Sequence, residues 1–238
     1  MAAVLGIPAI AGAQGSEARV RIGVNYGIQT SGDSVSQNFT VQKNVEPATI
    51  TSEMPLDQAP VFDIGGWVKL AGRLGVGVSF SRLTRSADAT INASIPHPFY
   101  FNQPRAISGT QPGLHEEENA VHLDVVGLAA ATERIELTVF GGVTFFSAKQ
   151  DVVTDVQYTE SYPFDTATFT GATLSRQSAS ETGYNVGADV TWSFSERVGV
   201  GGLIRFSRAS ADYAVASTNT VSADLGGLQA LGGIRFRF

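Results

Sequence analysis

The sequence predicts an all-β protein, an antiparallel up-and-down β-barrel whose strands cross a membrane. Three observations predict this fold: apolar residues alternate with small or polar ones in segments of about ten residues, short turns alternate with long connections, and charge is scarce. Charged residues make up 16% of the 238 residues, whereas soluble domains spend about a quarter of their residues on charge. Much of the protein surface is therefore expected to face something other than water.

Composition excludes several functional classes. The chain has no cysteine, so it can form neither a disulfide framework nor a thiolate metal site or nucleophile. Its net charge of -6, without a basic stripe, argues against a nucleic-acid partner. Because no run of about 18 apolar residues occurs, a helical membrane span is excluded and strands must make any crossing.

The N-terminal segment resembles the end of a secretory signal. Its apolar run stops at the small residues 11–13, Ala-Gly-Ala, a pattern that signal peptidases accept before Gln14. We expect residues 1–13 to be a truncated signal peptide, although an ordinary buried N-terminal segment is the alternative. Residues 14–238 would then form one barrel domain, since no linker-like composition separates two cores.

The first and last strands are predicted by strict alternation. Between residues 19 and 29 every second position is apolar, and the last nine residues repeat this pattern up to Phe238. The two segments share this alternation of apolar with small or polar residues, as expected if they pair with each other to close a barrel.

A three-fold repeat predicts the strands between them. Each repeat is an apolar strand, a short polar turn that ends in an arginine, and a second strand; the arginines are Arg73, Arg134 and Arg197, about 61 and 63 residues apart. The predicted strands are residues 61–70, 74–80, 120–130, 135–146, 184–194 and 198–206. With the terminal pair they make eight. The connections at the other end are long, roughly residues 30–60, 86–119, 150–182 and 211–223.

The residues on the two strand faces indicate which face is enclosed. A soluble ligand-binding barrel would carry Lys and Glu on its polar face, but here that face is mostly small, which fits the narrow interior of an eight-stranded barrel. The apolar face carries aromatic residues near the strand ends, as expected for two girdles at the membrane interfaces. These girdle candidates are Phe62, Phe80, Phe145, Tyr184, Trp192, Phe194, Phe206 and Phe238.

The closing residues carry a family resemblance. Gly233, Phe236 and the final Phe238 resemble the C-terminal assembly signal of bacterial outer-membrane barrels, and from about Ala18 onward the chain is similar to the small OmpA/OmpX-like barrels. Leu231 departs from the pattern, because the family tends to place a polar residue there. The resemblance implies a bacterial outer-membrane location, contact with outer-membrane lipids and lipopolysaccharide, and recognition by the barrel-assembly machinery.

The same resemblance implies short periplasmic turns and long extracellular loops. It also leaves the strand count open, because residues 39–45 and 48–54 could add a hairpin inside the membrane and make ten strands. We expect that hairpin to extend above the membrane instead, so that the barrel itself has eight strands.

Charged residues on the predicted inner face suggest a plugged lumen. Charge in a narrow, low-dielectric interior must be paired or it destabilises the fold. We expect Asp189 to pair with Arg205 and Glu136 to lie near the arginines of the terminal strands; separate, water-bridged charges are the alternative. The predicted lumen charge network comprises Arg19, Arg21, Asp63, Asp124, Glu136, Asp189, Arg205, Arg235 and Arg237.

Nothing in the sequence predicts an enzyme, a cofactor or a metal site. None of the three histidines has a spacing that groups it with a serine nucleophile or a second metal ligand. His122 and Asp124 share a strand face and could orient a general base. We interpret them as a polar pair in the lumen.

The predicted function is therefore structural or one of surface interaction, with recognition through extracellular loops. Candidate contact residues are Phe99, Tyr100, Phe101, Tyr162 and Phe164, although such loops also pack on themselves. The acidic run 116–118 could bridge to lipopolysaccharide through divalent cations or could simply be solvated.

Two alternatives to this function remain open. One is a small channel or carrier for small or apolar solutes, to which inward-facing Trp67, Phe140, Phe146 and Leu203 lend support. The other is a hydrolase on the barrel rim.

Overall fold

The structure, a computed structural model, describes residues 19–30, 34–216 and 219–238. The predicted signal peptide, residues 1–13, lies outside these ranges. Within them, no helix is long and apolar enough to cross a membrane.

Ten antiparallel strands form one sheet. In chain order they are β1 (Val20–Thr30), β2 (Val35–Lys43), β3 (Glu46–Met54), β4 (Ala59–Ala71), β5 (Leu74–Ile95), β6 (Arg105–Ala131), β7 (Ile135–Glu160), β8 (Ala167–Ser193), β9 (Val198–Ala216) and β10 (Asn219–Arg237).

Eight of these strands close into a ring, in the order β1, β4, β5, β6, β7, β8, β9, β10 and back to β1. The closing pair joins the two ends of the chain, from Arg21 opposite Arg237 to Thr30 opposite Leu228. Beyond β10, the final Phe238 still exchanges two backbone hydrogen bonds with Val20, of 2.9 and 3.1 Å. The eight-stranded barrel and its closure by the terminal strands are confirmed.

The other two strands form a hairpin outside the ring. Pairing of β4 with β5 ends at Val61 and Leu83, and further along β5 the hairpin takes over, with residues 49–53 of β3 opposite residues 90–94. The hairpin therefore extends the barrel wall at one end and does not add two strands to the ring.

The three arginine turns lie at the same end as both termini and share one backbone contact. The carbonyl oxygens of Arg73, Arg134 and Arg197 accept hydrogen bonds of 2.8, 2.7 and 2.9 Å from the backbone N–H of a residue in β6, β8 and β10 respectively. Each turn is thus tied to the next hairpin around the ring, which gives the sequence repeat a structural counterpart.

At the opposite end the strands continue well past the segments that the sequence predicted. Residues 86–119 and 150–182 were expected to be loops, but most of them belong to the long hairpins β5–β6 and β7–β8. Alternation continues there, with Ala89, Ile91 and Ala93 buried and their neighbours exposed. Because many of these residues are alanine or serine, alternate positions differ little in hydrophobicity. The sequence therefore did not predict how far the strands extend.

An apolar belt surrounds the middle of the barrel. Outward-facing residues such as Val78, Val125 and Val186 are about half exposed in the isolated chain, as expected if lipid covers them. Along β8 the belt runs from Trp192 to Tyr184, eight residue steps or about 20 Å for a strand tilted by about 40°. This length approximates the apolar thickness of an outer membrane.

Aromatic residues lie at both edges of the belt. Phe62, Phe80, Phe145, Tyr184 and Phe206 face outward at the edge near the long hairpins, and Tyr184 and Phe206 are in ring contact, with centroids 6.3 Å apart. The other edge, beside the short turns, carries Trp192, Phe194 and Phe238. The side chains therefore occupy the two girdles that the sequence predicted.

Candidate functional site: the lumen and the extracellular tips

Small residues on the inner face keep the lumen narrow and bring strands close together. A Cβ atom added to Gly142 would lie 1.9 Å from the carbonyl oxygen of Leu123, and one added to Gly65 would lie 2.3 Å from the Cβ of Ser79. Such distances are far below van der Waals contact, so these positions require glycine. What remains of the lumen is filled by a few large polar side chains.

Arg205 forms the central layer of that filling. It is 1% exposed. Its guanidinium donates hydrogen bonds of 2.8 Å to Asp63, 2.8 Å to Ser79 and 3.3 Å to Gln229, and it lies 5.6 Å from the Phe140 ring centroid. One side chain of β9 thus contacts β4, β5, β7 and β10, and its charge is compensated by Asp63.

Neighbouring amides complete this layer. Asn25 donates a hydrogen bond of 2.7 Å to the second oxygen of Asp63, and Gln229 donates one of 2.8 Å to Gln29. The Asp63 carboxylate therefore receives both a cation and a neutral donor, which is the arrangement that a buried charge needs.

A second charged layer lies nearer the short turns. Arg235 binds Asp189 and Asn25, and Arg21 approaches Glu136 at 2.6 Å. The Arg21 guanidinium also lies 4.4 Å from the Trp67 ring centroid, a cation–π geometry. Glu136 thus contacts an arginine of the first strand, as the sequence predicted.

Two expectations about the lumen charges are wrong. Asp189 does not pair with Arg205: Asp189 lies opposite Leu203 in the β8–β9 register, so Arg205 lies two residues farther into the barrel and reaches Asp63 instead. Arg19 is exposed and precedes β1, so it is not in the lumen. A sequence gives strand faces but not the stagger between strands, which decides such pairs.

Asp124 and Arg237, the remaining predicted members, face inward without an ion pair among the described residues. Asp124 is buried, and its Oδ1 has no hydrogen-bond partner there. Arg237 is half-buried, with its Nε likewise unpartnered. Both line a cavity of about 90 Å³ whose walls include residues of both charged layers, and a cavity of this volume holds only a few waters.

His122 belongs to a polar chain that the sequence did not predict. Its ring nitrogens lie 3.1 Å from the Ser81 hydroxyl and 2.8 Å from the Thr144 hydroxyl, and Asn185 donates to Thr144 at 3.0 Å. A serine beside a histidine is the start of a nucleophile–base pair. Here the histidine is 0% exposed, and its second nitrogen meets a hydroxyl where a catalytic triad places a carboxylate.

Above the belt the barrel interior becomes apolar. Thirteen buried residues from β2, β3, β5, β6 and β7 form one cluster, in which Phe39, Ile50 and Ile91 are almost fully enclosed. In a second cluster, Tyr213 and Leu225 of the β9–β10 hairpin pack against Phe146 of β7. Inward-facing Phe146 is thus part of a packed core, and the interior is filled at this level too.

A buried carboxyl lies where the lumen meets this apolar region. Glu118 accepts a 2.9 Å hydrogen bond from the backbone N–H of Gly226, and Gln29 donates one of 2.9 Å to the Gly226 carbonyl. Gly226 has a φ of 87°, a backbone conformation that favours glycine. Burial raises the pKa of Glu118, and the nearby Glu116 carboxylate raises it further.

The predicted loop residues meet at the far end of the molecule. The Phe99 and Phe164 rings contact edge to face with centroids 5.4 Å apart, and Tyr162 contacts Phe164 at 6.1 Å. Phe99, Tyr100, Phe101 and Tyr162 are between 58% and 86% exposed. These five aromatic residues, here called the aromatic tip, come from two loops that the sequence could not bring together.

A buried arginine holds the aromatic tip in place. Arg105 pairs with Glu160 at 2.5 Å and donates hydrogen bonds to the carbonyls of Phe164 and Pro96, of 3.0 and 2.9 Å. His97 accepts hydrogen bonds of 3.1 and 3.2 Å from two backbone N–H groups of its own loop, those of residues 99 and 100. Both loops are thereby fixed to the ends of β6 and β7.

The three residues of the expected C-terminal assembly signal occupy distinct positions on β10 and at its end. Gly233 faces the lumen, where an added Cβ would lie 2.0 Å from the Val24 carbonyl oxygen. Phe236 lies opposite Ile22 on the outer face, and Phe238 is 65% exposed. Leu231, which departs from the family pattern, faces inward and packs with Leu203. An apolar residue is therefore accommodated at this position.

The chain matches no protein-family model and no curated protein sequence. Among solved structures it is similar to the outer membrane protein OprG of Pseudomonas aeruginosa, with a TM-score of 0.50 and 7% identity over 93% of this chain and 96% of that one. It is also similar to the outer membrane protease OmpT of Escherichia coli (TM-score 0.49, 8% identity, 92% of this chain and 97% of that one). A third similar structure is Neisserial surface protein A (TM-score 0.45, 10% identity, 92% and 97%).

These likenesses concern the fold. The chain has the fold of a small bacterial outer-membrane β-barrel. The fold, together with the apolar belt, is that of an integral protein of the bacterial outer membrane.

Proposed function

We propose that the protein is a closed surface barrel: it occupies the outer membrane without conducting solutes and acts through its extracellular tips. The observation that carries this proposal is the Arg205 layer. An eight-stranded barrel has room for little more than side chains, and here one guanidinium contacts four other strands at the level of the membrane.

The region above that layer supports the same conclusion. A solute that entered from outside would first meet the apolar cluster around Phe39 and Ile91 and then the Glu118 and Gly226 contact. Passage would therefore require two packed regions to open, at a cost comparable to local unfolding.

The aromatic tip is the part of the protein that is suited to recognition. Exposed aromatic residues are frequent anchors of binding surfaces, and Arg105 holds these in a fixed arrangement, which lowers the entropy lost on binding. We infer that any extracellular ligand binds there, and that the barrel serves as its support and has no catalytic activity.

Conductance tests the closed lumen. The purified protein, inserted into planar bilayers, is expected to show no single-channel steps, or only small ones. Large, stable open steps of the unmodified protein would overturn the proposal.

The cavity below the Arg205 layer favours a second candidate, a carrier for small apolar solutes. Trp67, Phe140 and Leu203 give this cavity of about 90 Å³ a partly apolar lining. Uptake of a small apolar dye into protein-containing vesicles, at a rate above that of protein-free vesicles, would favour the carrier over the closed barrel.

A further inference from the structure

The aromatic tip stands well above the membrane. On β7, outward-facing Phe145 lies at the edge of the apolar belt, and the strand continues to Glu160. These 15 residue steps, at about 3.3 Å each and a strand tilt of about 40°, place the tip roughly 40 Å above the belt. The headgroup layer is only about 5–8 Å thick, so the rings lie beyond the lipids that surround the barrel.

Phe164 fixes the orientation of two neighbouring rings. Its plane makes angles of 65° with that of Phe99 and 87° with that of Tyr162. Phe164 has a φ of 72°, which is unfavourable for a bulky residue, and hydrogen bonds to Ser161 and Arg105, of 2.7 and 3.0 Å, hold its backbone. Phe99 and Tyr162 are 68% and 86% exposed. Because the faces of aromatic rings attract cations, this arrangement is suited to a positively charged partner.

Two carboxylates of the tip have no cation to balance them. Asp165 directly follows Phe164, and its side chain is 73% exposed. Glu46, next to the turn between β2 and β3, accepts a 3.1 Å hydrogen bond from the backbone N–H of Asn102. Within residues 19–30, 34–216 and 219–238, neither carboxylate forms an ion pair with a lysine or an arginine.

His97 does not supply the missing charge. Its Nδ1 accepts hydrogen bonds from two backbone N–H groups, which a charged ring could not do, so the ring is neutral and its proton is on Nε2. Nε2 lies 3.9 Å from the Asp165 carboxylate, which is beyond hydrogen-bond distance. Asp165 therefore keeps an uncompensated charge.

The other charges near the tip cancel in pairs. Lys43 pairs with Asp155 at 2.7 Å, and Arg105 pairs with Glu160 at 2.5 Å. The two unbalanced carboxylates thus give the aromatic tip an excess of two negative charges. A cationic partner is favoured by this charge as well as by the exposed rings.

The acidic run 116–118 offers no comparable site, and it is not placed to bridge to lipids as the sequence suggested. Glu116 and Glu118 face inward and are buried, with Glu116 held by Arg85 at 2.9 Å. Glu117 faces outward, but it lies 3.3 Å from the Arg82 guanidinium. Exposed carboxylates without a cation therefore distinguish the aromatic tip from this run.

We propose that the aromatic tip binds an arginine-rich segment of an extracellular partner protein. A guanidinium group can stack on an aromatic ring and also pair with a carboxylate, and the tip presents both. Its rings protrude, with Phe99, Tyr100, Phe101 and Tyr162 between 58% and 86% exposed, so a peptide segment can cover several of them at once and a small ion cannot. The inference rests on the proposed function, because it takes the aromatic tip as the recognition surface.

Peptide binding to the full chain in phosphatidylcholine nanodiscs, measured by fluorescence anisotropy against empty nanodiscs, tests this partner chemistry. A labelled peptide that alternates arginine with glycine is expected to bind, and its lysine counterpart to bind more weakly, since an ammonium group lacks the planar stacking surface of a guanidinium. F99S/F101S/Y162S should weaken binding of the arginine peptide at least about tenfold.

Charge variants separate the site from attraction by net charge. E46Q/D165N should weaken binding of the arginine peptide at least about threefold. E53Q/D57N removes the same charge from exposed positions nearer the membrane and should bind as the unmodified protein does. Equal losses in these two variants, or equal binding of the arginine and lysine peptides, would show attraction by charge alone and overturn the inference.

Two other results would also overturn it. Tighter binding of a neutral cellulose oligosaccharide than of the arginine peptide would assign the aromatic tip to glycans. Absence of arginine-peptide binding, together with retention on phenyl-agarose that is lost in F99S/F101S/Y162S, would show a recognition surface for a different chemistry. In that case this inference fails while the proposed function stands.

Discussion

Arg205 of β9 and Asp63 of β4 form an ion pair of 2.8 Å across the lumen, between strands that lie three positions apart in the ring. Both side chains are at most 2% exposed. The pair compensates two charges that neither water nor lipid reaches, and it closes the barrel near the edge of the apolar belt that faces the long hairpins. The strength of this pair therefore bears on both stability and closure.

Removing one partner should cost more than removing both. Arg205→Met leaves Asp63 buried and uncompensated, so the free energy of unfolding is expected to fall by about 3–5 kcal/mol. R205M/D63N should recover a large part of that loss. Urea unfolding in detergent micelles measures both variants, and a double variant less stable than R205M would contradict a net compensating role for the pair.

The neighbouring residues Glu117 and Glu118 are expected to contribute to the free energy of unfolding with opposite dependence on pH. Burial raises the pKa of Glu118, so its unfavourable contribution is absent below the ordinary glutamate pKa of about 4.3 and appears as pH rises through the raised value. Asn119 and nearby cations lower the pKa of Glu117, so its favourable contribution is present above the ordinary value and disappears as pH falls through the lowered one.

Glutamine variants separate these two effects. E118Q keeps an acceptor for the Gly226 N–H and should be more stable than the unmodified protein at neutral pH, whereas E117Q should be slightly less stable. Hydrogen exchange at Gly226 and urea unfolding, each measured across pH 3 to 8, report the difference. Parallel pH profiles for the two variants would show that these environments are not distinct.

The aromatic tip should be dispensable for folding. F99S/F101S/Y162S alters exposed rings, so the free energy of unfolding should change by less than about 0.5 kcal/mol per substitution, while retention of the nanodisc-embedded protein on phenyl-agarose should fall. Arg105→Ala breaks the buried pair with Glu160 and should speed hydrogen exchange in residues 96–104. Unchanged retention of the triple variant would remove the aromatic tip as a binding surface.

The C-terminal aromatic should matter for assembly more than for stability. Phe238→Ala removes an exposed ring and leaves both backbone bonds to Val20, so refolding from urea into detergent should be unaffected. Its folded amount in outer membranes should drop several-fold if the assembly machinery reads this residue. Phe194→Ala, at the same girdle, is the control, and equal losses for the two variants would point to membrane anchoring instead.

Strand faces followed from the sequence because alternation is a local property. The alternate apolar residues between Val20 and Ile28, together with Phe80 and Trp192, lie on the predicted outer face. Asp63 and Arg205 lie on the inner one. Turns were equally clear, since each combines polar residues with an arginine. These signals need no knowledge of which residues meet across the barrel.

Contacts between distant strands did not follow from the sequence. Pairing of Arg205 with Asp63, and not with Asp189, depends on the stagger of strands around the ring, which no local pattern encodes. The contact between Phe99 and Phe164 depends on the β5–β6 and β7–β8 hairpins reaching the same height. Arg105, which fixes that meeting, was missed because a lone arginine before an alternating segment carries no distinguishing signal.

The apolar face of each barrel strand touches lipid, while the small polar face encloses the lumen. Because the chain has no cysteine, single spin labels can be placed at Val190→Cys, facing outward, and Thr191→Cys, facing inward, in bilayer-embedded protein. We predict that dissolved oxygen relaxes the label at residue 190 far more than the label at 191. Higher oxygen accessibility at residue 191, or a barrel that stays folded and monodisperse in water without detergent, would contradict this assignment of the two strand faces.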